Sequence, residues 1–212
     1  MPKDDFVEDL KWKRRIHDVR MKEEIKDDQE FTKDMFNQAL KLLKKKGGGK
    51  YDSILKGGNS LVEAIFKLFQ TVWNEEKKPD SWRDTTVIQI FKGKGLKEEL
   101  DNKRHIHTKN EIPKLFSHIL TNTMKPKIIE NMTPYQIGAI PGHRSQEHLF
   151  TLKSFVALAE DKDVAVIANL IDLVKYFDKE CLIDALNELY KANVKGKVYK
   201  LVYEMNKELE LL

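Results

Sequence analysis

The spacing of apolar residues along the chain predicts several amphipathic helices. Residues three and four positions apart lie on one face of a helix, so apolar residues at that spacing mark a face that packs against a core. Four such segments are Phe31–Leu43, Leu61–Trp73, Ile112–Met124 and Leu149–Ala159. In the second, Ser60 and Glu63 form a capping-box pattern and Pro79 ends the helix, while Pro126 interrupts the third.

Two other segments have the composition of β-strands. Residues 85–91, "TTVIQIF", are short and rich in β-branched side chains, and a polar, basic loop or hairpin follows from Lys92 to His107. Residues 163–171, "DVAVIANLI", form a nearly continuous apolar run, which predicts the strongest strand of the chain, buried on both faces. A helix is predicted after it, capped by Asp178 and with an apolar inner face formed by Cys181, Leu182, Ala185, Leu186 and Leu189.

The two ends of the chain differ in character. Residues 1–30 are dense in charges of both signs, which is typical of a solvated helix or a partly ordered lead-in. The last helix carries an apolar stripe of Val198, Val202, Met205 and Leu209. We expect this stripe to be exposed here and able to promote self-association.

Composition sets limits on the class of protein. With 212 residues, of which 41% are hydrophobic, the chain can form a core, and 38 Lys and Arg against 34 Asp and Glu give a weak basic bias that permits nucleic-acid binding without requiring it. The single cysteine, Cys181, excludes an internal disulfide and a cysteine-based zinc site. No apolar run approaches the roughly 20 residues of a membrane span, and no signal peptide is evident, so we expect an intracellular protein of the cytoplasm or nucleus.

The stretch "NLIDLVKYFDKE", residues 169–180, holds the candidate chemistry. Asp172 ends the predicted buried strand, where a carboxylate can bind Mg²⁺ together with substrate phosphates. A surface-loop acid is the alternative for Asp172, and a helix cap is the alternative for Asp178. The residue pattern alone leaves these alternatives open.

Four segments in order carry a resemblance to a known family: "KKPDSWRDTTVIQIFKGKG", "LDNKRHIHTKNEIPKLFSHIL", "YQIGAIPGHRSQEHLF" and "IDLVKYFDKE". The first is similar to a pattern of proline, tryptophan, a strand and a Lys-Gly-rich turn, and the second to an Asn-aromatic-Arg-Pro-Ile segment followed by a helix. The third is similar to Gln-x-Gly-Phe-x-x-Gly-Arg-Ser, and the fourth to Asp-x-x-Lys-Ala-Phe-Asp. From Phe31 to Leu212 the sequence thus resembles reverse transcriptases of non-LTR (LINE-type) retrotransposons, with group II intron enzymes as more distant relatives.

The resemblance implies a helix-rich α+β fold, namely a partial right-hand polymerase. It places a charged extension at residues 1–30, fingers at 31–150 and an incomplete palm at 151–212. The implied activity is RNA-directed DNA synthesis, a nucleotidyl transfer, with an RNA template, a DNA primer and dNTP as partners and Mg²⁺ as cofactor. No membrane partner is implied.

Residue roles follow from the same match. Asp172 takes the place of the first catalytic, Mg²⁺-binding aspartate, Leu173 would offer its carbonyl to the metal site, and Phe177 would lie under the incoming sugar. Lys92 and Arg104 match fingers residues that meet the triphosphate. The segment near the template and palm is matched by Gln136, Gly138, Gly142 and Arg144.

The sequence departs from the family at several positions. Lys103 replaces an aromatic residue, His105 replaces proline or glycine, Ala139 replaces phenylalanine and Tyr176 replaces alanine. No Tyr-x-Asp-Asp segment follows Asp172, so the resemblance is to a domain truncated before that motif. We therefore expect a two-metal site only in a full-length enzyme, and no primer extension by this chain alone.

Three functions remain open from the sequence. The first is a fragment of a retroelement reverse transcriptase. The second is a non-catalytic nucleic-acid-binding module, in which phosphates are contacted by Lys92, Lys94, Lys97, Lys103 and Arg104. The third is a helical interaction protein derived from such a domain.

Overall fold

A computed structural model describes residues 3–25, 28–45, 52–172 and 181–208. This part of the chain is rich in helix and contains one small antiparallel sheet, which confirms the predicted α+β class. The chain divides into two compact units. The first unit combines Met1–Ile128 with Cys181–Leu212, and the second spans Ile129–Glu180.

The described elements follow in chain order. The helices are α1 Lys3–Met21, α2 Lys33–Lys45, α3 Asp52–Lys56, α4 Gly58–Glu75, α5 Glu111–Glu130, α6 Ser145–Asp161, α7 Leu182–Lys191 and α8 Gly196–Asn206. Short 3-10 turns occupy Asp80–Trp82 and Leu100–Asn102. The strands are β1, Thr85–Phe91, and β2, Lys103–Lys109.

The predicted helices form, but their ends differ from the sequence signals. Helix α4 begins at Gly58 with Gly57 at its N-cap position, so the capping box predicted for Ser60 and Glu63 is wrong. Helix α5 continues through Pro126 to Glu130, because a proline removes only one helical hydrogen bond while Ile128 beyond it still packs against the core. Helix α7 begins at Leu182, directly after Cys181. Asp178, the predicted cap, lies outside the described residues.

Aromatic side chains form the centre of the first unit. The Phe116 ring lies 5.1 Å from that of Phe69 and 5.5 Å from that of Trp82, measured between centroids. Trp73 is buried beside them, and its indole N–H donates to the carbonyl of Gln29 at 2.8 Å. This hydrogen bond satisfies the polar atom of an otherwise apolar cluster.

The charged N-terminal segment forms helix α1, and one side of that helix packs against α7 and α8. A hydrogen bond of 2.8 Å joins Nδ1 of the buried His17 to the hydroxyl of Tyr199. Arg20 donates to the side chain of Asn187 at 2.9 Å, and the guanidinium lies 3.9 Å from the ring centre of Tyr190. Polar contacts and an aromatic face therefore hold this helix, which explains why apolar periodicity is weak in its sequence.

The apolar stripe of α8 is buried, so the prediction of an exposed C-terminal helix is wrong. Val198, Val202 and Met205 all belong to the hydrophobic core of the first unit. Leu209, the last residue of the predicted stripe, lies outside the described residues. Because α4 and α7 pack against α8, the described residues of the stripe are covered within the chain and offer no surface for self-association.

A glycine and a distant aspartate determine where α8 begins. Gly196 has φ +61°, and the Asp28 carboxylate accepts the Lys197 N–H at 2.7 Å. A Cβ atom at position 196 would lie 2.3 Å from Asp28 Oδ2, so only glycine fits beside this cap. Residues more than 160 positions apart thus cooperate at one helix end.

Gly196→Ala is expected to lower the free energy of unfolding by about 1–2 kcal/mol, since it adds left-handed strain and displaces the cap. Gly58→Ala is the matched control, because Gly58 also has a positive φ but its added Cβ would meet open space. Urea denaturation of both variants measures the difference. Equal losses of unfolding free energy in the two variants would show that the Asp28 contact contributes nothing to stability.

In the second unit, α6 is a helix as predicted, but its apolar side is exposed. The predicted inner residues include Phe155, which is 62% exposed, and Leu149 and Leu152, which are also exposed. The prediction of an inner side is therefore wrong. The physical reason is that α6 is the one regular element that the structure describes between residues 131 and 172, so the described part of the second unit offers no other helix or strand to cover it.

The strand predicted at residues 163–171 does not form. This segment has no regular secondary structure, and Ile167 and Leu170 are 87% and 97% exposed. A strand must share backbone hydrogen bonds with a neighbour, and the described sheet consists of β1 and β2 alone. An apolar run without a partner strand stays irregular.

Candidate nucleic-acid interface

Strands β1 and β2 form an antiparallel hairpin that contains most of the predicted basic residues. Thr85 pairs with Lys109 at its base, Ile88 with Ile106 near its middle, and Phe91 with Lys103 where the loop begins. All seven residues of β1 are exposed. The sequence predicted either a loop or a hairpin from Lys92 to His107, and the structure confirms the hairpin.

The loop of the hairpin, residues 92–102, is organised by its own hydrogen bonds. The backbone N–H of Lys92 donates to the carbonyl of Asn102 at 2.8 Å, and the Lys92 ammonium donates to the carbonyl of Asp101 at 2.8 Å. The Asn102 amide donates in turn to the Leu96 carbonyl at 3.0 Å. Gly95, with φ +76°, lies directly against this amide, so a side chain there would displace it.

The hairpin carries a concentrated positive charge. Residues 85–109 include six Lys or Arg residues and three acidic ones. Lys94, Lys97 and Arg104 are exposed and Lys103 is half-buried. Within the described parts of the chain, these four cations make no ion pair or side-chain hydrogen bond. They are therefore available to bind anions.

Pairing gives the hairpin two chemically different faces, because residues directly opposite each other project to the same side. The histidine face carries Thr85, Val87, Gln89, Phe91, Lys103, His105, His107 and Lys109. The isoleucine face carries Thr86, Ile88, Ile90, Arg104, Ile106 and Thr108. Sequence reasoning missed Phe91, His105 and His107 as candidates, although the alternation of residues 103–107 is the signal that places them together.

The base of the hairpin is anchored to α8. The Lys109 ammonium donates to the carbonyl of Met205 at 2.8 Å, at the C-terminal end of that helix. Burial, together with the nearby charge of Lys78, lowers the pKa of Lys109 below its ordinary value. The anchor fixes the base of the hairpin on the first unit while its loop projects basic groups.

The predicted template segment lies in the second unit. Gln136, Gly138, Gly142 and Arg144 all fall in the irregular connection between α5 and α6. Gly142 has φ +91°, and Arg144 precedes α6 in extended conformation with an exposed side chain. The four residues therefore share one loop.

The carboxylate of Glu147 holds the end of this loop. It accepts the Arg144 N–H at 2.9 Å and is hydrogen-bonded to His143 at 2.8 Å. The pKa of Glu147 is lowered by the hydrogen bond from His143 first and then by the Arg144 amide. The resulting backbone position leaves the Arg144 guanidinium in solvent.

The predicted metal ligand, Asp172, is exposed at the end of the irregular 163–172 segment. Leu173 and Phe177, predicted beside it, lie outside the described residues. Among the residues that the structure describes, no three His, Cys, Asp or Glu side chains form a group able to hold a metal ion. The described donors therefore do not fit a two-ion Mg²⁺ centre, since such a centre needs several carboxylates.

Two further findings do not depend on the hairpin. Within the described ranges, no helix has both the length and the apolar character needed to cross a bilayer. No protein-family model matches the sequence.

Proposed function

We propose that the chain binds single-stranded nucleic acid through its basic hairpin, as the fingers part of a retroelement reverse transcriptase. The observation that carries this proposal is a group of four hairpin cations, Lys94, Lys97, Lys103 and Arg104, which have no ion pair or side-chain hydrogen bond among the described residues. The family resemblance of the sequence supports an RNA template as the ligand.

The chemistry of the hairpin suits this ligand. Lysine and arginine contact phosphates, and the arginine fork can bind two phosphate oxygens at once. Phe91, His105 and His107 add rings on the histidine face, where unpaired bases can stack. Charge and stacking together bind a single strand without requiring a defined base sequence.

The polymerase role beyond template binding is a separate part of the proposal. A complete enzyme of this kind would use Asp172 to bind Mg²⁺, with Lys92 and Arg104 meeting the dNTP. Because the described donors do not fit a two-ion centre, we derive no catalytic step from them. The expected property of this chain is binding alone.

The proposal predicts a change in salt dependence when the free cations are removed. Replacing Lys94, Lys97, Lys103 and Arg104 with alanine should weaken binding to a single-stranded RNA oligonucleotide roughly 10–100-fold at low salt. The slope of log K against log salt should fall by about 3, since each single-strand phosphate contact contributes about 0.7. Fluorescence anisotropy across a salt series measures both quantities.

The matched control removes four exposed lysines elsewhere: Lys41, Lys67, Lys153 and Lys162. This variant has the same net charge as the hairpin variant and should retain most of the affinity and the slope. Asp172→Ala should bind RNA as the wild type does. Equal losses in the hairpin and control variants would contradict a specific site, and absence of RNA binding by the wild type would favour a protein-interaction role.

A further inference from the structure

Two histidines lie close together on β2, and their ring nitrogens have no role in the proposed stacking of bases. His105 and His107 are two positions apart on the strand, so both project from the histidine face. Only Ile106 stands between them, so their Cα atoms are two strand positions apart, a distance of about 6.7 Å. Both side chains are exposed.

Neither imidazole is engaged in the described parts of the chain. No hydrogen bond, ion pair or ring contact involves His105 or His107 there. In contrast, His17 is hydrogen-bonded to Tyr199, and His143 is hydrogen-bonded to Glu147. The ring nitrogens of His105 and His107 are therefore free to act as ligands.

We propose that His105 and His107 form a bidentate site for a borderline divalent transition-metal ion, of which Cu²⁺ binds most tightly. Imidazole nitrogens bind such ions at about 2.0–2.1 Å, and two imidazoles on the same side of a strand can turn toward one ion. Gln89 pairs with His105 on the same face, so its amide oxygen can add a weak third contact. Water completes the coordination.

The donor type determines which metal is accepted. Nitrogen donors favour Cu²⁺, Ni²⁺ and Zn²⁺, and the order of stability places Cu²⁺ first. Mg²⁺ prefers oxygen donors, so it should not compete. The site is therefore distinct in chemistry from the carboxylate centre implied for Asp172. Lys103 lies on the same face, and its positive charge repels the metal ion and should weaken its binding.

The test is a Cu²⁺ titration of the full chain, followed by calorimetry and by electron paramagnetic resonance. The wild type should bind one ion at this site with nitrogen hyperfine structure from two imidazoles. His105→Gln and His107→Gln should each weaken that binding at least about tenfold. Excess Mg²⁺ should leave the affinity unchanged, and Lys103→Gln should increase it.

Two controls separate a bidentate site from adventitious binding. His148→Gln removes an exposed histidine elsewhere and should change nothing. The double variant His107→Thr with Thr108→His keeps the histidine count but moves one imidazole to the opposite face, so it should behave like His107→Gln. Wild-type affinity in that double variant, or in either single histidine variant, would overturn the proposal.

Discussion

Replacing Phe116 with alanine is expected to lower the free energy of unfolding of the first unit by about 3–5 kcal/mol. Phe116 is completely buried on α5, and its ring contacts the rings of Phe69, Trp73 and Trp82. Truncation removes the apolar area of the ring and leaves a cavity among three large aromatic side chains. Rings of this size cannot rotate to fill the space, so most of the cost remains.

Urea denaturation followed by tryptophan fluorescence measures this loss, because Trp73 and Trp82 report on the same cluster. Phe91→Ala is the matched control, since it makes the same chemical change on the exposed β1 strand. We expect the control to lose less than half as much stability. Similar losses from the two variants would show that the aromatic cluster is not the centre of stability.

The second large effect is expected from Glu208→Gln, which should cost about 2–3 kcal/mol. The Lys78 side chain is only 2% exposed, and its ammonium is paired with the Glu208 carboxylate. Removing the charge of Glu208 would leave the Lys78 cation buried near Lys109 without compensation. Glu208 itself is 31% exposed, so screening by water keeps the loss below that of a fully buried pair.

The same pair predicts a dependence on pH. Burial alone would raise the pKa of Glu208, but the hydrogen bond and charge of Lys78 outweigh it and hold the pKa below its usual value. A lowered carboxyl pKa contributes stability above the unfolded value of about 4.3, and this contribution is lost as the pH falls through the folded value. The wild type should therefore lose stability below about pH 4.3 more steeply than Glu208→Gln.

Denaturation curves between neutral and acidic pH measure this difference. Glu188→Gln is the control, because Glu188 forms an exposed pair with Lys191 on the surface of α7 and its loss should change stability by less than about 0.5 kcal/mol. Parallel curves for the wild type and Glu208→Gln would contradict the role of the buried pair.

Local patterns predicted the helices and the hairpin well. The apolar spacing in α4 matches its buried residues Ile65, Phe69, Val72 and Trp73, because a single helix face met a continuous core. Strand β1 was evident from "TTVIQIF", since β-branched residues favour extended backbone and the partner strand follows closely in the chain. The basic residues of the candidate interface came instead from the family resemblance to the fingers segment and from the positive charge of residues 92–104.

Signals that depend on distant partners were not readable from the sequence. Asp28 caps α8 from a segment far away in the chain, and no local sequence motif predicts this contact. The two faces of the hairpin depend on strand register, which brings His105 opposite Gln89 and Phe91 opposite Lys103. The prediction placed Asp172 at the end of a buried strand formed by the preceding apolar run, and that strand does not form.

The sequence by itself determined the helix-rich class, the positions of most helices and the basic character of residues 92–104, because each depends on neighbours within a few positions. Only the tertiary structure decided which apolar faces are buried. The stripe of α8 is covered because other helices close over it, while the stripe of α6 and the run at 163–171 stay exposed. An apolar face is buried only when another element of the chain packs against it. The apolar pattern shows that such a partner would be favourable, but it does not show whether the fold supplies one.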